Sequence, residues 1–152
     1  MKQTIILASD HAGFKLKEAV KKFLRDKGYG IDDVGAHAYV EDDDYPFFIS
    51  QAARAVAHDA TGHARAVIFG MSGQGEAIVA NRFPGVRAAI WYGGTHQILT
   101  LSRQHNNANV LSIGAGFVTE EEANVAIIQW LETPYSNEER HNRRIEEIDS
   151  ME

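Results

Sequence analysis

Short apolar runs alternate with amphipathic segments along most of the chain. The first run, residues 4–9 (TIILAS), is rich in β-forming residues, and residues 13–28 then place apolar side chains at helical spacing up to Gly28. The same alternation predicts four more strands and five more helices. The strands are expected at residues 29–35, 64–70, 85–92 and 108–114, and the helices at 45–60, 75–83, 95–105, 119–132 and 136–149. Thr119, just before three glutamates, has the position of a helix N-cap.

Strands that are separated by helices predict a parallel sheet, because parallel neighbours need a crossover connection. The continuous apolar run at 64–70 is typical of a strand that is buried on both faces. We therefore expect an α/β protein: a three-layer α/β/α fold with a five-stranded parallel, Rossmann-like sheet and a C-terminal helix. Ligands in such folds lie beyond the carboxyl ends of the strands, so the residues just past each strand are the candidates for chemistry.

Composition narrows the class of protein. The 152 residues, 44% hydrophobic and 24% charged, suit a single domain covering 1–152 with a full core. A net charge of -6 argues against a nucleic-acid partner, and the lack of cysteine excludes a thiolate nucleophile or thiolate metal site. The apolar run at the N-terminus is too short for a membrane span or signal peptide, so we expect a cytoplasmic protein with no membrane partner. His58 and His63 lack partners at metal-ligand spacing, and we predict neither a metal nor a cofactor.

A glycine-rich turn, residues 70–76 (GMSGQGE), follows the third predicted strand. Its backbone N–H groups suit a phosphate or a developing oxyanion. The spacing matches neither the dinucleotide fingerprint nor the Walker A loop nor the nucleophile elbow. A purely structural turn, in which Ser72 caps the next helix and Glu76 favours its dipole, is the alternative. Bare backbone beside Glu76 would also let that carboxylate approach a small substrate and take a proton from carbon.

Two further groups of polar residues flank predicted elements. Asp10 and His11 follow the first strand, where they could contact sugar hydroxyls or, alternatively, form a helix cap and a solvated imidazole. Residues 102–109 (SRQHNNAN) combine an arginine, a histidine and three asparagines at a helix end. That density of donors suits an oxygen-rich ligand, although asparagines also form ordinary helix C-caps.

The polar C-terminal helix carries Arg140 and Arg144 one turn apart, a spacing that suits a phosphate clamp. The alternative is a solvated helix whose arginines pair with neighbouring glutamates. Few of its residues are apolar, so we expect it to dock through Tyr135, Ile145 and Ile148 or to pack on a partner subunit.

Five segments in order resemble one family, the type B ribose-5-phosphate isomerases with their galactose-6-phosphate and allose-6-phosphate relatives. The segments are SDHAGFKLK (9–17), DDDYPFF (42–48), GMSGQGEAIVAN (70–81), LSRQHNNANVLSIG (101–114) and ERHNRRI (139–145). The resemblance implies an aldose-ketose isomerase of a sugar phosphate, foremost ribose 5-phosphate to ribulose 5-phosphate, through a cis-enediolate. It also implies adjacent first and third strands, and a homodimer or homotetramer whose subunits share each active site.

By resemblance, the catalytic residues are Glu76, His105, Ser72 and Asp10, and the substrate-binding residues are His11, Tyr45, Gly70, Gly73, Gly75, Asn106, Arg140 and Arg144. Many members use a cysteine as the base, whereas one branch uses a glutamate after the last loop glycine, where Glu76 stands. His105 would help to open the furanose ring. Asn106 would steady the enediolate with the loop amides, and the two arginines would hold the phosphate.

One position departs from the family pattern, because Gly116 stands where members commonly carry an arginine that binds phosphate. Lys15, Arg87 or Arg143 could substitute for it. The alternative substrates are a hexose 6-phosphate or an unphosphorylated sugar or sugar acid. A non-catalytic phosphate-binding module is the alternative from another class.

Overall fold

The five strands pair in one parallel sheet. The structure is a computed structural model that describes residues 2–152, and the strands are β1 (Lys2–Ser9), β2 (Tyr29–Asp33), β3 (Arg65–Gly70), β4 (Ala88–Trp91) and β5 (Val110–Gly114). Their order across the sheet is β2-β1-β3-β5-β4. The predicted fold class is confirmed, and β1 and β3 are neighbours as the resemblance implied.

Helices cover both faces of this sheet. They are α1 (His11–Asp26), α2 (Tyr45–Ala57), α3 (Gln74–Ala80), α4 (Gln97–Gln104), α5 (Glu120–Glu132) and α6 (Glu139–Asp149), with a short 3₁₀ turn at Ala115–Phe117. The predicted cap of α5 is confirmed: Thr119 Oγ1 accepts a hydrogen bond from the Glu122 amide at 3.1 Å. Within residues 2–152, every helix is too short or too polar to cross a lipid bilayer.

Alternate residues of each strand supply two separate cores. Leu7 and Phe69 face the core under α1 and α5, whereas Ile6 and Ile68 face the core under α2. Burial of each large apolar side chain stabilises the fold by about 1.5–3 kcal/mol. The sheet is therefore a rigid support for the residues at its two edges.

A buried ion-pair cluster fixes the loop after β2. Lys17 is fully buried, and its ammonium lies 2.7 Å from the Asp33 carboxylate, which also accepts a hydrogen bond from Lys21 and one from the Gly35 amide. Burial raises the pKa of Asp33, but the hydrogen bonds from the two lysines outweigh it, and the pKa is lowered. The cluster anchors the start of the segment that leads to α2.

Candidate active site

The first predicted site residues lie together where the parallel strands end, which we call the carboxyl edge of the sheet. Ser9 of β1 pairs in register with Phe69 of β3, so Asp10 and the glycine turn follow neighbouring strand ends. Gly70 in turn pairs with Gly114 at the end of β5. Asp10, His11 and residues 70–76 therefore share one edge of the sheet, as the rule for open α/β folds predicts.

Glu76 is a buried acid at this edge. Its exposed fraction is 4%, and its carboxylate lies against the bare backbone of Gly70. Burial raises the pKa of Glu76, and the charge of Asp10 raises it further, against backbone N–H groups of Glu76 and Gly73 that lower it. Desolvation therefore outweighs the local dipoles, a balance that could not be decided from the sequence.

The glycine turn is held against β5. Gly73 has a φ of 79°, in the left-handed region that favours glycine, and its carbonyl accepts a 2.7 Å hydrogen bond from Ser112. The Gly116 amide donates to the carbonyl of Met71 at 2.9 Å. These bonds fix the backbone that would contact an anion.

Ser72 does not cap α3. The N-cap position is Gly73, without a side-chain cap, and the Gln74 amide lies a long 3.4 Å from Ser72 Oγ. The structural alternative for Ser72 is therefore wrong, and its half-buried hydroxyl is only weakly engaged. Tyr45, the first residue of α2, places its hydroxyl so close to Gly75 that a side chain there would lie 2.6 Å away.

Asp10 and His11 occupy the N-terminus of α1. Asp10 Oδ1 accepts a 3.2 Å hydrogen bond from the Gly13 amide, so the predicted capping alternative is confirmed without removing Asp10 from the site. His11 is not simply solvated, because its Nδ1 lies 2.7 Å from Asp43 Oδ1. That hydrogen bond raises the pKa of His11 despite partial desolvation, and the nearby Asp10 charge adds to the rise. Sequence reasoning missed Asp43, which is hidden in the acidic run 41–44.

The Asp10, His11 and Asp43 side chains form a cluster that could hold a cation. Their ligating atoms lie within 4.8 Å of one another. One Asp43 oxygen, however, already accepts hydrogen bonds from both the backbone N–H and the ring of His11. The hydrogen bonds occupy Asp43 Oδ1, whereas Asp43 Oδ2 is buried without a hydrogen-bond partner among residues 2–152.

The second half of the predicted site lies at the opposite edge of the sheet, where the strands begin (the amino edge). His105 ends α4, and Asn106 follows it, before β5 begins. The five residues of β5 separate these side chains from the glycine turn by about 16 Å. His105 stacks on His141 of α6, with ring centroids 4.3 Å apart and planes 19° apart. His141 is buried, and its Nε2 lacks a hydrogen-bond partner among residues 2–152.

Most donors of the 102–109 segment serve the fold, contrary to the expectation of a ligand-binding cluster. Buried Arg103 donates to the carbonyls of Thr133 and Ala108 and to the side chain of Asn107. Asn109 bridges the chain before β4, since it accepts from the Arg87 amide at 2.8 Å. His105 and exposed Asn106 remain as the candidates for substrate contact.

The arginines of α6 are exposed. Arg140 pairs with Glu138 at 3.1 Å, and Arg143 pairs with Glu139 at the same distance, which fits the solvated-helix alternative in this single chain. Arg144 is also exposed. The arginine side chains that could clamp a phosphate therefore point into solvent in the single chain.

Docking of α6 differs in part from the expectation. His141 packs against His105, and Ser136 just before the helix donates to the Gln104 carbonyl. Ile145 is half-buried, whereas Ile148 is 49% exposed in the single chain, so docking of the helix through Ile148 or on a partner subunit stays a prediction. The aromatic stack between two histidines was not detectable from apolar periodicity.

The side chain of Met71 covers Gly116. A Cβ at position 116 would overlap the Met71 sulfur, so the exposed Met71 side chain would have to move before the arginine common in the resembling family could stand there. Of the three possible substitutes, Arg87 donates to the Asn107 carbonyl, and Arg143 is paired on α6. Exposed Lys15 instead lines a cavity of about 350 Å³ together with Ala115, beside the position in question.

A larger cavity of about 770 Å³ opens elsewhere, between α1 and α5. Its walls include Phe23, Val125 and Ile128, with several glutamates at the rim. None of the predicted site residues lines it. We therefore place the candidate site by its titratable groups and not by volume.

Comparisons with known proteins identify the family of this chain. The family model described as Ribose/Galactose Isomerase matches residues 5–148. The ribose-5-phosphate isomerase B of Mycolicibacterium paratuberculosis is 43% identical over 145 residues, which cover 93% of this chain and 87% of that protein.

Two solved structures are similar over nearly the whole chain. The Mycoplasma genitalium ribose-5-phosphate isomerase B with bound ribulose-5-phosphate has a TM-score of 0.91 at 32% identity, covering 98% of this chain and 95% of that one. The Trypanosoma brucei type B ribose 5-phosphate isomerase has a TM-score of 0.89 at 34% identity and covers both chains completely. By sequence and by structure, this chain belongs to the ribose/galactose isomerase family.

Proposed function

We propose that this chain is a cytoplasmic, single-domain aldose-ketose isomerase that converts ribose 5-phosphate to ribulose 5-phosphate, with Glu76 as the base. The observation that carries the proposal is the buried carboxylate of Glu76 over the bare backbone of Gly70. Relatives named ribose-5-phosphate isomerase B, one of them solved with bound ribulose-5-phosphate, support the substrate.

Proton transfer is the central step of this reaction. Glu76 takes the proton from C2 of the open-chain aldose, and the electron pair moves to the carbonyl oxygen O1, giving a cis-enediolate. The protonated acid then returns the proton to C1, the hydroxyl proton of O2 passes to O1, and the carbonyl forms at C2. The raised pKa of Glu76, caused by burial, suits a group that must both accept and return a proton near neutral pH.

The oxyanion needs donors that are fixed before the reaction. We assign this role to the amides of Gly73 and Gly75, because the backbone of the turn is already held by Ser112 and by the Gly116 amide. Ser72, whose hydroxyl is only weakly engaged, would donate beside them. Fixed donors cost no reorganisation when charge develops on O1.

The sugar hydroxyls would meet the groups that surround Glu76. We assign Asp10, His11 and Tyr45 to these contacts. Asp10 is close enough for its charge to raise the pKa of Glu76, and the Tyr45 hydroxyl lies over Gly75. Hydrogen bonds to several hydroxyls orient the C2–H bond toward the base.

We propose that a second copy of the chain completes each site. His105 and Asn106 lie at the amino edge, about 16 Å from the glycine turn across the length of β5, and Arg140 and Arg144 are on α6, which contacts His105 through His141. A homodimer, alone or paired in a tetramer, would bring the amino edge of one subunit to the carboxyl edge of the other. His105 would then catalyse ring opening, Asn106 would contact the enediolate, and the arginines would bind the phosphate.

The glycine at position 116 is the reason why two alternative substrates have to be tested. Because residue 116 is a glycine, one phosphate ligand common in the family is replaced or missing. Lys15, beside Ala115, is our candidate for the replacement. A hexose 6-phosphate or an unphosphorylated sugar would be favoured if no cation takes that place.

A substrate panel in deuterated water tests the proposal. Ketose formation from ribose 5-phosphate, with solvent deuterium at C1 or C2, is the expected result, and ribose and the galactose and allose 6-phosphates should turn over more slowly. Equal rates for ribose and its phosphate would favour the unphosphorylated substrate. Ligand-dependent thermal stabilisation without any deuterium exchange would instead indicate a non-catalytic binding module.

A further inference from the structure

Asp43 belongs to none of the sequence-predicted sets, yet it holds a predicted substrate-binding residue. We propose that Asp43 is a positioning residue for His11, which fixes the imidazole with its proton on Nδ1 and leaves Nε2 for the substrate. The link to substrate rests on the proposed function, whereas the state of the ring does not.

Asp43 contacts His11 at two atoms, one in the backbone and one in the ring. Asp43 Oδ1 accepts from the backbone N–H of His11 at 2.8 Å and lies 2.7 Å from the ring Nδ1. The Asp43 side chain is 9% exposed, and that of His11 is 31% exposed. One carboxylate oxygen therefore ties both the backbone and the ring of His11 to a loop that is 32 residues away in the chain.

The acceptor decides which ring nitrogen carries the proton. An ionised carboxylate can only accept hydrogen bonds, so Nδ1 must be the donor in this contact. Nε2 of His11 has no hydrogen-bond partner among residues 2–152. In the neutral ring Nε2 is then an acceptor, and in the imidazolium it becomes a second donor.

The surroundings of His11 favour the imidazolium form. The charged groups that face it are Asp43, Asp10 and Asp42, all of which raise its pKa. Tyr39 packs edge-on against the ring, with centroids 6.2 Å apart and planes 84° apart. A fixed N–H⁺ group beside the glycine turn would bind an oxygen atom or an anionic group of the sugar substrate.

Asp43 also caps α1 through the His11 amide, so its truncation alone would not separate positioning from stability. Asp43→Asn keeps an oxygen that can accept both hydrogen bonds and removes the charge. Asp42→Asn is the matched control: Asp42 is exposed, shares the loop, and has a φ of 64°, which asparagine tolerates. The control removes the same charge without touching the hydrogen bond.

A ring-nitrogen NMR titration of the full chain, with His11 assigned from the His11→Asn spectrum, tests the inference. In the unsubstituted protein His11 should titrate above the ordinary histidine pKa, with Nδ1 protonated in the neutral form. Asp43→Asn should lower this pKa clearly, and Asp42→Asn should change it little. The neutral Nε2–H tautomer in the unsubstituted protein, or an unchanged titration in Asp43→Asn, would overturn the inference even if the chain had no isomerase activity.

Kinetics supply the second readout. In Asp43→Asn the His11 ring loses its proton at a lower pH, so Nε2 no longer donates a charged hydrogen bond to the substrate, and kcat/KM for ribose 5-phosphate should fall by about ten- to a hundredfold. The loss should be greatest between the two His11 midpoints and smaller at lower pH, where both rings are protonated. An unchanged kcat/KM together with a shifted His11 titration would refute the positioning role in the reaction.

Discussion

The carboxylate of Glu76 lies in the space that a side chain on Gly70 would fill. The last residue of β3 therefore determines how far the acid can fold back over the strand end. Because Glu76 is buried in this position, its pKa is raised. The lack of a side chain at Gly70 thus allows both the buried position of the proposed base and its raised pKa.

Gly70→Ala should displace this carboxylate. A misplaced base slows proton transfer, so we expect kcat to fall by about a hundredfold while KM changes less. Steady-state kinetics, with thermal unfolding as a check on the fold, provide the measurement. Gly62→Ala, in an open turn before the start of β3 with a φ of 70°, is the control that costs stability without touching the acid. Equal kcat values for the two variants would argue against the placement of Glu76.

The stability of the protein should depend on pH through Glu76. Its folded-state pKa is raised by burial above the unfolded value, so its contribution is fully present below the unfolded pKa and is lost as pH rises through the folded pKa. Glu76→Gln lacks this titration. At neutral pH the variant should therefore melt at a higher temperature than the unsubstituted protein, and the difference should disappear toward pH 4. A variant that is less stable at neutral pH would mean that the carboxylate is well paired.

Two inactive variants should complement each other if the site is shared. In a mixed dimer of Glu76→Gln and His105→Gln, one site carries both lesions and the other carries neither. After subunit exchange of equal amounts, we expect about a quarter of the unsubstituted activity, because half of the dimers are mixed and each has one intact site.

The matched control pairs two lesions from the same edge. Glu76→Gln and Asp10→Asn would each remove a group of the carboxyl-edge half, so a mixed dimer has no intact site. This mixture should stay inactive. Recovery in the control, or none in the first mixture, would contradict a site that is built from opposite edges of two subunits.

Lys15 should contribute to phosphate recognition in place of the missing arginine. Lys15→Gln is expected to raise KM for ribose 5-phosphate by about tenfold or more, because a charged hydrogen bond to phosphate is lost, with little change for ribose. Lys22→Gln on the same helix, where Lys22 pairs with exposed Asp26, is the control. The same KM in both variants would leave Gly116 without a substitute on α1.

Periodicity was sufficient for the architecture but not for the pairings between distant segments. The strand and helix order and the Thr119 cap follow from local patterns, and the strand-end rule puts Asp10 and the glycine turn at the same edge of the sheet. That β1 and β3 are neighbours, which brings the two together, was implied only by the family resemblance. Asp43 could not be distinguished from the acids beside it, because its role depends on contact with His11. In the same way, Arg103 looked like a ligand donor until its contacts with two carbonyls were known.

The direction in which the pKa of Glu76 shifts was the other feature that the sequence could not decide. The dipole of a helix N-terminus and the desolvation of a buried site shift the pKa of Glu76 in opposite directions, and their sizes depend on packing. Burial of the Glu76 carboxylate against Gly70 makes desolvation the larger of the two effects, and the pKa is raised. The stacking of His105 on His141 likewise joins two helices whose relative position no local pattern defines.

The isomerase rate of Glu76→Gln tests the central claim most directly. Removal of a positioned base should lower kcat by about a hundred- to ten-thousandfold, with deuterium exchange at C2 lost in parallel. Glu121→Gln, which alters an exposed acid on α5, should keep the unsubstituted rate. A folded Glu76→Gln protein that isomerises ribose 5-phosphate at most of the original rate would contradict the assignment of Glu76 as the base.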